Sequence, residues 1–305
     1  DPIALAAATE KGVVAGNRRK YASLARPLRF YGGTSSATEV GCNLRCTFCF
    51  SDRPVRKPGS TGKFYTPQQV FDALDANAKK HGHKLISASA SEGTLGREHL
   101  FELLTLVDQS PYIFILETNG MTLGHDPEFA QQLAQFCNLH VRVSIKGTNP
   151  EEYHTLTGAR ASSYALPFNA LRNLIDAGVS CNACVMISFS DEDGIRAVQE
   201  RLAAIHPGIL KSLELEEDLE DDQLLQLVTA FVKKSKQKRT SAASQANAAA
   251  AQAASAARAA AVPLSQRVTI RVAGISMGAP IIIPNRHASQ FMQPMETKFM
   301  DDHLK

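Results

Sequence analysis

The run Ala37-Thr-Glu-Val-Gly-Cys-Asn-Leu-Arg-Cys-Thr-Phe-Cys-Phe50 joins a short strand-like stretch, Ala37–Gly41, to a loop carrying Cys42, Cys46 and Cys49. Three thiols at C-x3-C-x2-C spacing, among Gly, Asn, Arg and Thr, read as ligands of a metal group rather than as three unrelated core residues. A cubane iron–sulfur cluster takes one thiolate per iron. Three thiols therefore leave one iron open to a ligand that the protein does not supply, and an open position separates a catalytic centre from a structural one. Zinc needs a fourth ligand at compatible spacing, and the segment Ser51–Tyr65 contains neither His nor Cys. The expectation is an enzyme with Cys42, Cys46 and Cys49 as metal ligands. The rival from another class is a non-catalytic iron–sulfur or zinc module that binds a partner through a basic segment.

Composition narrows the setting. With 305 residues, 44% hydrophobic and 21% charged, the chain can bury one large core, and a single α/β barrel of this length is ordinary. No apolar run approaches the roughly 18 residues that cross a bilayer, so no membrane is expected. The first residues, Asp1-Pro-Ile-Ala-Leu-Ala-Ala-Ala, lack a basic leader and a long hydrophobic stretch and are not expected to be a signal peptide. Six cysteines, three of them in one loop, do not form a disulfide framework. A reducing compartment, the cytoplasm, is expected. The formal charge of +3 is too small to point to nucleic acid.

Working outward from the loop, strand and helix patterns alternate. Thr66 is expected to cap a helix that opens with Pro67 and buries Val70, Leu74 and Ala78. Strands are expected at Lys84–Ala90, Tyr112–Glu117, His140–Ile145, Ala183–Phe189 and Leu210–Leu215. Helices are expected at Arg97–Asp108, Pro127–Cys137, Ser163–Ala177 and Asp191–Ile205. Six β/α units imply a parallel sheet with right-handed crossovers, either partly closed as a barrel or open and doubly wound. A dinucleotide fold would carry G-x-G-x-x-G after its first strand, where this chain has the cysteine loop.

The C-x3-C-x2-C spacing followed by an aromatic residue resembles the signature of the radical S-adenosylmethionine (SAM) superfamily. That resemblance implies an α/β fold, a partial (β/α)6 TIM-type barrel over 34–232. It also implies a 4Fe–4S cluster whose open iron is chelated by the amino and carboxylate groups of SAM. The function implied is reductive cleavage of SAM to a 5′-deoxyadenosyl radical that abstracts hydrogen from a substrate. A one-electron donor, flavodoxin- or ferredoxin-like, is implied as a partner.

Active sites of parallel α/β barrels lie at the C-terminal strand ends, and polar groups stand at those positions here. Leu116-Glu-Thr-Asn-Gly120 is similar to the Leu-Asp-Thr-Asn-Gly run of the glycyl-radical-enzyme activases in this superfamily. The likeness puts Glu117, Thr118 and Asn119 at a cation- or SAM-proximal position. Val143-Ser-Ile-Lys-Gly147 stands where the activases have Asp-Leu-Lys, which places Lys146 near the SAM carboxylate and Ser144 where the family carries an acid. Ser188 is a further SAM candidate, while Ser190 or Asp191 reads first as a helix cap. Phe48 holds the place of the aromatic residue that lies against adenine. The family's Gly-Gly-Glu-Pro is replaced by Ser87-Ala-Ser-Ala-Ser-Glu-Gly-Thr94, in which Glu92 takes the carboxylate's place and Gly93 eases the turn. The activase likeness leans toward a protein or peptide substrate, with a radical SAM methyltransferase or a small-molecule enzyme as alternatives.

Outside this frame, Cys181 and Cys184 lie three apart on a strand and point to opposite faces, so no auxiliary cluster is expected there. Cys137 is expected to pack in the core. Residues 1–33 read as an N-terminal extension, 233–262 as a basic and alanine-rich linker or helix, and 263–305 as a small C-terminal cap segment with strands at Arg267–Ala273 and Ile281–Ile283.

Overall fold

A computed structural model describes residues 1–216 of the chain. The Asp1 carboxylate accepts from the amides of Ile3 and Ala4 and starts α1 (Pro2–Val13). Strands β1 (Val14–Ala15) and β2 (Arg18–Leu28) follow as an antiparallel pair, and β2 pairs antiparallel with β3 (Thr34–Glu39). The cysteine loop leads into α2 (Asp52–Arg56) and β4 (Lys63–Tyr65), which pairs with β2. The stretch 14–28 thus extends the main sheet.

Next comes α3 (Pro67–His81), whose Thr66 hydroxyl accepts from the Gln69 amide while the Gln69 side chain accepts from the Thr66 amide. That reciprocal cap satisfies two otherwise orphaned donors. Its buried stripe is Val70, Leu74 and Ala78, as the spacing predicts, and Gly82 ends it at φ 71°. The βα rhythm then runs through β5 (Leu85–Ser89), α4 (Arg97–Asp108), β6 (Ile113–Thr118), α5 (Met121–His125), α6 (Pro127–Leu133) and β7 (Leu139–Lys146). It ends with α7 (Pro150–Thr157), α8 (Leu166–Asp176), β8 (Cys181–Met186), α9 (Glu192–Ile205) and β9 (Glu214–Glu216).

Strands β3, β5, β6, β7, β8 and β9 are neighbours in that order and parallel throughout. The expected α/β fold with six parallel strands is present. Among the described residues the sheet does not close, and β1 and β9 end the path. One face of the strands, including Phe114, Leu116, Val141, Val143, Ile145, Ala183 and Val185, is buried in the apolar core. The other face alternates polar groups, Glu117, Arg142, Ser144, Lys146 and Cys184 among them. Fully covered parallel strands usually read as continuous apolar runs, so this second face is built for chemistry or for charge.

Several boundaries differ from expectation. The helix expected at Pro127–Cys137 ends at Leu133, because the Asp108 carboxylate draws the amides of Cys137 and Asn138 out of the helical path at 3.1 and 2.8 Å. Cys137 consequently sits exposed on that turn and not in the core. The strand expected at Leu210–Leu215 begins at Glu214, since Pro207–Ser212 forms a 3₁₀ turn started by Pro207 and the His206 cap. Strand β8 stops at Met186, and a turn from the Ser190 amide to the Ile187 carbonyl leaves Phe189 outside the strand and 52% exposed. The expected segments at 233–262 and 263–305, with their strands, lie outside the described residues.

Candidate active site

Glu39 ends β3, and the chain turns through Gly41 at φ 96°. A Cβ at Gly41 would meet Thr9 and Val13 of α1 at 2.9 and 3.0 Å, so glycine permits both the turn and the close helix. Backbone bonds then pin the loop from several sides. The Gly41 amide donates to Pro54 O, the Arg45 amide to Thr157 O and the Thr47 amide to Leu156 O, at 2.9, 3.1 and 2.8 Å. Two guanidinium groups hold carbonyls of the cysteines themselves: Arg45 Nη1 donates to Cys42 O at 2.6 Å and Arg56 Nη2 to Cys46 O at 2.9 Å.

Within this frame Cys46 is buried, and Cys42 and Cys49 are half-buried. The Leu44 amide and Asn119 Nδ2 point at Cys42 Sγ from 3.5 and 3.8 Å. Burial, with the negative charge of Glu92 behind it, pushes the Cys42 thiol up to about 12. Burial also raises Cys46, while the Lys146 ammonium pulls it back. Metal loading at these thiols must displace protons.

Among the described residues no three His, Cys, Asp or Glu side chains converge closely enough to hold a single metal ion. The donor set does suit a sulfur-rich cluster: three thiols share one loop, N–H groups are aimed at Cys42, and Asn43 Nδ2 is buried beside them without a hydrogen-bond partner. An orphaned buried donor costs about 1–3 kcal/mol, and an acceptor bound at the loop removes that cost.

The sequence-predicted residues fall into distinct groups. Glu92, buried, accepts at Oε1 from Thr94 N, Thr94 Oγ1 and Thr118 Oγ1 (3.1, 2.6 and 2.6 Å) and at Oε2 from Asn119 N (2.9 Å). Its carboxylate therefore clamps the ends of β5 and β6 together. Asn119 Nδ2 also donates to Asn43 Oδ1 at 2.6 Å, which ties that clamp to the cysteine loop. Ala90 enters the turn at φ 73°, a left-handed conformation that glycine adopts without strain. A Cβ at Gly93 would meet Leu116 Cδ1 at 2.6 Å, so the loop after β5 packs directly against β6.

A second group forms around Phe48. Its ring centroid lies 5.7 Å from that of Phe189, and Lys146 Nζ lies 5.7 Å from the Phe48 centroid. Lys146 also donates to Ser144 Oγ at 2.5 Å. Glu117 belongs to a third environment: burial raises its carboxyl and the Arg142 guanidinium opposes that rise. Ser188 lies on an exposed turn, with its hydroxyl 3.4 Å from Met186 Sδ. Asp191 caps α9 by accepting from the Gly194 amide at 2.7 Å, the role read for it first.

Sequence reasoning missed a charged network on the polar face of β7–β9. Arg142 bonds Glu214 at 2.8 Å, Glu216 at 2.5 Å and Cys184 Sγ at 2.7 Å, while Lys146 stands 3.9 Å from Glu216. The alternation His140, Arg142, Ser144, Lys146 was a readable signal, since residues two apart share a strand face. It also missed Arg19, which is buried, pairs with Glu39 at 3.4 Å and donates to the carbonyls of Glu92, Gly93 and Leu95.

The family profile described as Radical SAM superfamily matches residues 38–201. A GTP 3′,8-cyclase from Pelotomaculum thermopropionicum is 28% identical over 157 residues, covering 50% of this chain and 46% of the relative. Among solved structures, SuiB of Streptococcus suis bound to S-adenosylmethionine is similar with TM-score 0.47 and 15% identity, over 67% of this chain and 44% of that one. The enzyme anSMEcpe with bound AdoMet is similar with TM-score 0.42 and 19% identity, over 59% of this chain and 49% of that one. The chain spans about half the length of these relatives.

Proposed function

Because this chain belongs to the radical SAM superfamily of enzymes, we propose that Cys42, Cys46 and Cys49 hold a 4Fe–4S cluster and that SAM binds beside it across the C-terminal strand ends. When bound, these groups supply reductive cleavage of SAM and a radical that removes hydrogen from a substrate. The protein's residues position and shield. Lys146 favours the thiolate of Cys46, and the Leu44 amide and Asn119 Nδ2 donate toward Cys42 Sγ. Glu92 fixes the loops after β5 and β6, and Phe48 with Phe189 forms an aromatic wall flanked by Lys146. The observation that carries the reading is the loop itself: three thiols beside one buried, partnerless amide donor, Asn43 Nδ2.

For the substrate, a protein or peptide is the reading that Leu116–Gly120 supports through its likeness to glycyl-radical-enzyme activases. A small molecule is the second reading, favoured by the 28% identical relative, a GTP 3′,8-cyclase. The one-electron donor proposed is flavodoxin- or ferredoxin-like. After anaerobic reconstitution, iron and sulfide analysis followed by dithionite, SAM and an assay for 5′-deoxyadenosine tests the core of this proposal. Wild type is expected to form product and Cys46→Ala to form none, and equal yields from both overturn it. A rise in 5′-deoxyadenosine with peptides or with nucleoside triphosphates separates the two substrate readings. Among the described residues no helix is long and apolar enough to cross a membrane.

A further inference from the structure

The segment leaving the cysteine loop differs in charge from the chain as a whole. The chain carries a formal charge of only +3, yet between Asp52 and Lys63 the side chains of Arg53, Arg56, Lys57 and Lys63 stand exposed against one acid, Asp52. Asp52 is itself paired with Arg56 at 3.5 Å, which leaves Arg53, Lys57 and Lys63 to set the field. The segment is held in place: Lys20 Nζ, largely buried, donates to Pro58 O and Gly59 O at 3.1 and 3.0 Å, and the Pro54 carbonyl accepts from Gly41. Beside it Phe50, the residue after Cys49, is 84% exposed, more than any other large apolar side chain described. An exposed aromatic next to fixed cations has the composition of a protein-binding patch, where aromatics and Arg are enriched.

The position of this patch says what it serves. Arg56 donates to the carbonyl of Cys46, so the face and a thiol ligand are joined by one side chain and one residue of backbone. Resting on the cluster reading above, we propose that Phe50, Arg53, Lys57 and Lys63 form the docking face for an acidic one-electron carrier protein. One electron leaves the carrier's anionic flavin hydroquinone, which becomes the neutral semiquinone, and enters the group held by Cys42, Cys46 and Cys49. No proton need move and no further reductant is required. Charge complementarity favours this occupant, because like-charged partners are repelled while an acidic carrier is steered to the patch at low salt.

Binding tests the surface without requiring a loaded cluster. Oxidised flavodoxin, an acidic protein, is titrated calorimetrically into the full chain at low and at high salt. The variants are Arg53→Glu/Lys57→Glu, Phe50→Ser and, as a control that reverses one charge on an exposed lysine of α3 away from the patch, Lys80→Glu. The double variant is expected to raise Kd by about tenfold or more at low salt, with the difference from wild type shrinking at high salt. Phe50→Ser is expected to weaken binding at both salt levels, and Lys80→Glu to change Kd by less than about twofold. Equal Kd for wild type and the double variant, or equal weakening by Lys80→Glu, overturns the proposal. So does a face that binds an acidic peptide but not the carrier. Intact binding in a chain that fails to hold iron and sulfide would sink the cluster reading and leave the docking face standing.

Discussion

Two carboxylates, each beside an arginine, behave in opposite ways. Burial pushes Glu39 up to about 7; Arg19 opposes the rise, but Glu92 and Glu117 add to it. Burial also works against the charge of Glu216, yet Arg142 and Lys146 outweigh it and hold the carboxyl down at about 2. Geometry supplies the reason. The Arg19 guanidinium is engaged by the backbone carbonyls of Glu92, Gly93 and Leu95, and Glu39 Oε2 is left buried without a partner. Arg142 instead points at carboxylates, bonding Glu214 and Glu216 directly. The half of the sheet that carries the cysteine loop uses its arginine to hold backbone in place, and the far half uses its arginine to hold charge.

The sharpest way to break this contrast is to remove the cation of the far half. Arg142→Leu leaves Glu214 with the Asn182 amide at 2.7 Å as its partner and Glu216 with only Lys146, 3.9 Å away, for a counter-charge. The expected loss is about 3–5 kcal/mol of unfolding free energy, read from urea melts at neutral pH. A loss under about 1 kcal/mol would show that the network is a solvated cluster of little consequence.

Next in size is Glu39. Its raised carboxyl means that the folded state keeps a proton which the unfolded chain releases above the ordinary 4.5. The associated stability is present below pH 4.5 and is lost as pH rises through about 7. Glu39→Gln is expected to flatten that part of the stability profile, worth up to about 3 kcal/mol across the window. An unchanged slope would place the Arg19–Glu39 pair in the same class as Arg142–Glu216.

Glu216 has the opposite sign. Its depressed carboxyl contributes stability above pH 4.5 that is lost as pH falls through about 2. Melts of Glu216→Gln against wild type are expected to differ near neutrality and to converge at acid pH, by roughly 1 kcal/mol once solvent screening at this partly exposed side chain is allowed for. The smallest effect is a gain: Ala90→Gly relieves the left-handed backbone at φ 73° and is expected to stabilise by about 1 kcal/mol, seen as a small rise in Tm. A fall in Tm would mean that the alanine methyl packs usefully there.

How much of this was legible depends on how local each feature is. Cys42, Cys46 and Cys49, the Thr66 cap with its Val70, Leu74 and Ala78 stripe, and the Asp191 cap are encoded within a few residues, and the spacing states them directly. Glu92 was singled out, but its partners Thr118 and Asn119 come from the next strand, so its part as a clamp between loops needed the fold. Arg142 was visible as one of a polar alternation, while Glu214 and Glu216 reach it only because β9 pairs beside β8, with Cys184 opposite Glu214. Cys137 went wrong for the same reason: the Asp108 carboxylate that ends its helix early belongs to α4.

The amino-acid order by itself determined the succession of strands and helices and the three thiols on one loop, because hydrophobic period, capping and ligand spacing act between near neighbours along the chain. Only the tertiary structure decided which acid faces a guanidinium aimed at carboxylates and which faces one already bound to carbonyls. Charge and solvation depend on what lies within a few ångströms in space, and parallel strand pairing brings together groups that the sequence keeps far apart.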